Sequence, residues 1–186
     1  MLSERQRKQL LTLARDTIAR VLDGRAPDLS GAGFDDVLRE PSGAFVTLTT
    51  HRDELRGCIG SIAPVAPLYE AVVKNAINAA FRDPRFYPLR PDELDDIKIE
   101  ISVMGPIERV KSIDEIVVGR DGLIISRGAN AGLLLPQVAT DYGWDRDTFL
   151  SQTCVKAGLP PDAWKSADAK IEKFSAEVFG EEELSR

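Results

Sequence analysis

The sequence predicts an α+β fold, a mostly antiparallel sheet with flanking helices, and three observations predict it. Val46 and Leu48 alternate with threonines, and Ile97, Ile99, Ile101 and Val103 alternate with Lys98, Glu100 and Ser102, the period of half-buried strands. Leu10, Leu11, Ala14, Ile18, Val21 and Leu22 recur at the spacing of a helix face. Strands and helices are interspersed without regular βαβ spacing, which favours antiparallel pairing over a doubly wound sheet. With 186 residues, 43% hydrophobic and 29% charged, the chain can bury one substantial core without disulfides or a structural metal, and a single domain over residues 1–186 is the default.

Taken in order, Ser3 with Gln6 has the form of a capping box, and a helix of about residues 4 to 23 follows, closed by Gly24. Residues 25 to 43 are rich in Gly and Pro and read as a long loop with a short helical turn near Asp35 to Arg39. The polar run His51 to Glu54 joins two strands, residues 44–50 and 55–60, into an antiparallel hairpin. Leu68, Val72, Asn75, Ala76, Ala79 and Ala80 predict a helix over 67–82, whose alanines imply close packing. Asp83-Pro84-Arg85-Phe86-Tyr87-Pro88 ends it, because neither proline fits a helix interior. A strand over 97–104 is the clearest in the chain. Ser112 with Glu115 predicts a short helix, Arg120-Asp121-Gly122 a hairpin turn, and Gly128 and Gly132 a second turn before Leu133 to Leu135. A last helix runs from about Pro136 or Asp145 to Ala157, and a closing strand covers 171–179.

The net charge is −6, with 24 Lys+Arg dispersed among 30 Asp+Glu. Nucleic-acid binding draws on clustered cations, so this balance argues against it, and against an anionic membrane surface. The N-terminus has no apolar run that would serve as a signal peptide, and no stretch approaches the ~18 apolar residues of a membrane span. Cys58 and Cys154 are therefore expected as reduced thiols in the cytoplasm. No nucleotide motif and no metal-ligand spacing is present, so no cofactor or metal is expected.

The candidate site is Leu55-Arg56-Gly57-Cys58-Ile59-Gly60. On an extended strand Arg56 and Cys58 share a face with Cα atoms about 7 Å apart, within reach of a guanidinium that favours thiolate. Gly57 and Gly60 remove side chains where a ligand or another backbone can approach. The plainer reading is that Cys58 is a small core residue, as free cysteines usually are. That reading is stronger for Cys154, at helical spacing with Leu150 and Ala157. Glu100 and Ser102 share a polar strand face that either borders the same cleft or is simply solvated.

This hexapeptide resembles the signature of the AMMECR domain family. So, in order, do Asp83-Pro84-Arg85-Phe86-Tyr87-Pro88-Leu89, Ile99-Glu100-Ile101-Ser102-Val103, Leu135-Pro136-Gln137-Val138-Ala139 with Gly143-Trp144, and Lys156-Ala157-Gly158-Leu159 through Trp164. The resemblance spans nearly the whole chain. It implies a larger and a smaller lobe, with the cysteine hexapeptide lining a cleft between them. It also implies similarity to protein A of the AmmeMemoRadiSam system, with a Memo-type protein and a radical-SAM protein as partners. Some members carry His where this chain has Asp121.

Two functional readings follow. In the first, the cleft binds a small anionic ligand, a peptide or a partner protein, with Arg56 and Arg85 grasping a carboxylate or phosphate. The second makes Cys58 a nucleophile or acid-base group, Arg56 its activator and Glu100 a proton acceptor. It lacks a partner base, since His51, the only histidine, lies about 23 Å away along an extended strand.

Overall fold

Ser3, at the first helix start, accepts the amide of Gln6 at 3.3 Å, and the Gln6 carboxamide accepts the Ser3 amide at 2.7 Å, so two orphan donors are satisfied reciprocally. This computed structural model describes residues 1–29 and 33–182. Helix α1 runs Glu4–Leu22 and closes at Gly24, whose φ of 71° suits a residue without a Cβ. The Gln6 amide group also donates to Asp35 at 2.8 Å, and Asp35 caps the single turn α2 (Asp36–Arg39) through the Leu38 amide.

Strands β1 (Ala44–Thr50) and β2 (Leu55–Ser61) form the expected hairpin, turning through Asp53 at φ 61°. Helix α3 covers Leu68–Phe81 and β3 covers Ile97–Arg109. The third strand outruns the expected 97–104, continuing through Gly105 and Pro106. Strand β4 (Asp121–Arg127) and β5 (Asn130–Leu134) make a second hairpin, helices α4 (Pro136–Asp141) and α5 (Arg146–Lys156) follow, and β6 (Lys170–Gly180) closes the chain. The six strands are ordered β2-β1-β3-β6-β4-β5 in one sheet. Among the described residues no helix is long and apolar enough to cross a membrane.

Backbone contacts group the chain into two compact units, Met1–Met104 with the segment from Glu177 onward, and Gly105–Ala176. In the larger unit β1 pairs antiparallel with both β2 and β3, so Val46 lies opposite Ile59 and Ile101, and Leu48 opposite Gly57 and Ile99. These side chains, with Leu10, Ile18 and Val72 of the helices, form a continuous buried core, and Ile97, Ile99 and Ile101 point into it as the alternation requires. Arg15 of α1 donates to the carbonyls of Leu94 and Ile97, at 2.9 and 2.8 Å, and so fastens a 3-10 turn at Pro91–Asp96.

The smaller unit packs Leu123 and Ile125 of β4 against Phe149, Leu150 and Cys154 of α5. Two turn readings and one helix reading change here. Asp121 and Gly122 lie inside β4: Asp121 is buried, accepting the Val117 amide at 2.9 Å, and a Cβ at Gly122 would fall 2.3 Å from the Phe174 ring. The turn lies just upstream, at Gly119 with φ 86°. Gly132 is likewise a strand residue, and a Cβ there would sit 2.4 Å from the Ala157 nitrogen of the helix end. The last helix is two helices, because the chain breaks at Gly143 with φ 63° and restarts at the Asp145 cap. Both cysteines are free thiols, Cys154 fully buried and Cys58 partly exposed.

Candidate functional site

The hexapeptide strand carries a register slip. Leu48 faces Gly57 but Thr49 faces Leu55, so Arg56 has no cross-strand partner and departs from strict alternation. Its guanidinium reaches Glu93 of the Pro91–Asp96 turn instead, with Nε to Oε1 at 2.9 Å and Nη2 to Oε2 at 3.1 Å, and lies 5.9 Å from the centre of the Phe86 ring. The bidentate guanidinium, acting against burial, holds the Glu93 carboxyl below its ordinary range. Arg56 Nη1 is buried and has no hydrogen-bond partner.

The cation beside Cys58 is Arg85. Asp83, with only 1% of its side chain exposed, follows directly after α3 and its C-cap Arg82, and its carboxylate accepts four donors. Arg85 supplies Nε at 2.9 Å, Nη2 at 2.7 Å and its amide at 3.1 Å, and Cys58 supplies its amide at 2.9 Å. Arg85 Nη2 also donates to the Cys58 carbonyl at 3.2 Å. The Arg85 fork first, then the Cys58 and Arg85 amides, drive Asp83 far below the usual carboxylate range against the burial that would raise it. The Cys58 main chain is thus gripped on both its polar groups, while its Sγ accepts from the Thr47 hydroxyl at 3.2 Å.

The remaining candidates fall in two places. Cys58, Thr47 and Glu100 are aligned in register across three neighbouring strands, so Thr47 lies between the thiol and the carboxylate, which are about 10 Å apart by strand spacing. Gly57 and Gly60 do admit a close approach, and the structure shows what makes it: a Cβ at Gly57 would sit 2.2 Å from the Ala79 carbonyl of α3, and one at Gly60 would sit 2.3 Å from the Phe45 ring. His51 is held at the hairpin end, its Nε2 3.0 Å from the Asp95 carbonyl.

Arg56, Arg85, Phe86, Tyr87, Pro88, Arg90 and Glu93 line one groove of about 550 Å³. Arg85 also stacks on Phe86, 5.5 Å from its centre, and Tyr87 is 90% exposed. Sequence reasoning missed Asp83, Glu93 and Arg90. Asp83 was visible as part of the helix-ending run, but nothing local marks Glu93, because its partner Arg56 stands 37 positions away.

A family model described as AMMECR1 matches residues 11–179, and the chain belongs to that family. A protein of Thermococcus onnurineus is 50% identical, the match covering 93% of this chain and 89% of that protein. One of Methanothermobacter thermautotrophicus is 46% identical, with 97% of each covered. The crystal structure of an uncharacterized protein from Pyrococcus horikoshii is similar with a TM-score of 0.84 at 44% identity, covering 93% of this chain and 90% of that one.

Proposed function

We propose that this chain is a binding module whose groove recognises the anionic group of a small ligand, a peptide or a partner protein. The observation that carries the reading is Arg56 Nη1, a buried donor without an acceptor on a side chain that lines an open groove. Buried polar groups are nearly always paired, so a donor left over beside a groove points to an acceptor that arrives with the ligand. The groove's volume lies in the range of small-molecule sites, and its mixture of ring faces and guanidinium groups suits an anion with an apolar body. Cys58 does not line the groove; its main chain, held by Asp83 and Arg85, fixes the strand that carries Arg56. Titrating the isotopically labelled protein with acetate, succinate and inorganic phosphate tests this. At least one should shift the amides of residues 56–58 and 85–93, and Arg56→Ala should remove the effect; no shift there at tens of millimolar would sink the reading.

The proposal extends to company and place. The family likeness supports a role as protein A of the AmmeMemoRadiSam system, acting in the cytoplasm with a Memo-type and a radical-SAM protein. Tyr87 and Leu55, 90% and 42% exposed, supply apolar surface for such a partner. Tagged protein purified from its own cells should retain one of the two, and Tyr87→Ala should weaken the retention. Recovery of neither after gentle cross-linking would count against it.

A further inference from the structure

The three arginines of the groove are held in one common way. Arg56 places Nε and Nη2 on Glu93, Arg85 places Nε and Nη2 on Asp83, and Arg90 places Nε and Nη2 on Asp92 at 3.0 and 2.8 Å. Each guanidinium is therefore oriented by its own carboxylate along one edge, and none of the three Nη1 groups has a protein acceptor in a described hydrogen bond. The arginines come from three different segments, β2, the run after α3 and the start of the 3-10 turn, and all three line one groove. Three guanidinium groups and three carboxylates cancel in charge. An anion bound here gains from aligned donors more than from net charge.

We infer that the groove seats a phosphoryl group on the Nη1 donors of Arg56, Arg85 and Arg90; this rests on the anion-binding reading above. A planar carboxylate offers two oxygens in one plane and satisfies one guanidinium edge well. A tetrahedral phosphoryl group offers three divergent oxygens, which matches donors arriving from three segments. The carboxylates Glu93, Asp83 and Asp92 set the guanidinium orientations in advance, so little ordering is left for binding. The same carboxylates, with the net charge of −6, disfavour a long polyanion, so the phosphoryl group comes free or on a small molecule.

Calorimetry and amide-shift titrations of the full chain with inorganic phosphate, phenyl phosphate and acetate test the inference. Phosphate should bind at least about tenfold more tightly than acetate, the gain expected from one further charge-assisted hydrogen bond. Arg90→Gln, a change on an exposed side chain, should weaken phosphate about tenfold or more while leaving acetate within about threefold, and Arg56→Lys should weaken phosphate about tenfold or more. Thermal midpoints of both variants show whether they remain folded. Tighter binding of phenyl phosphate than of phosphate assigns the group to an organic ester, and equal binding assigns it to the free ion. Acetate matching phosphate, or phosphate affinity unchanged by both substitutions, overturns the phosphoryl assignment and leaves the anion site standing. If none of the three compounds shifts the groove amides, both readings fall.

Discussion

Asp83 shows at the scale of one residue how a buried charge is kept. Its carboxylate is almost fully enclosed, which alone would raise its pKa, yet four donors converge on it and the balance falls on the ionised side. Because its folded pKa is depressed, the stabilisation is complete above the unfolded value of about 3.9 and is lost as pH falls toward the folded one. Asp83→Asn should therefore cost about 2 kcal/mol at pH 7, mostly from the Cys58 amide and the Arg85 fork meeting a poorer acceptor. The gap between variant and parent, measured by urea unfolding, should narrow only below about pH 4; a gap constant down to pH 2 would refute the assignment. In the sequence Asp83 read as a helix terminator. Its larger task was hidden because Cys58, the amide it holds, lies 25 positions earlier. Arg56 is the complementary case: strand alternation aimed it at the thiol, and one slipped register handed it to Glu93.

Among the elements, β2 and α3 are joined by absent atoms. The alanines of α3 announced close packing, and at Gly57 the approach is so near that no Cβ fits under the Ala79 carbonyl. Gly57→Ala should destabilise the protein by about 1–3 kcal/mol in chemical denaturation. Ala79→Gly should not rescue it, since the obstacle is main chain. Rescue would mean that the side chains, not the carbonyl, set the helix-to-strand distance. Alternation and capping residues made α1, α3, β1 and β6 readable with small errors at their ends, and β3 over 97–104 but not its continuation to Arg109, because those patterns report on the local period alone. Asp121-Gly122 misled for the opposite reason. Turn chemistry is a statement about φ, and here the glycine answers the Phe174 ring packed upon it while Gly119 does the turning.

For the whole molecule, each compact unit has its own buried cluster and its own cysteine. Cys58 is partly exposed and should react with a thiol reagent in the native state. Burial raises the pKa of Cys154 and encloses it, so it should react only when the Gly105–Ala176 unit opens. Leu123→Ala, a large cavity in that core, should accelerate Cys154 labelling by more than tenfold and leave Cys58 nearly unchanged. Equal labelling of both thiols in the parent protein would contradict this. The grip on the Cys58 main chain has a consequence beyond the groove. β2 is the terminal strand of the sheet, and its outward amide and carbonyl at Cys58 are the groups a neighbouring chain would need for a seventh strand. Asp83 and Arg85 impersonate that neighbour. They finish the ladder there with side chains that no further strand can extend, so the same ion pair that borders the groove also blocks strand addition to β2 at Cys58.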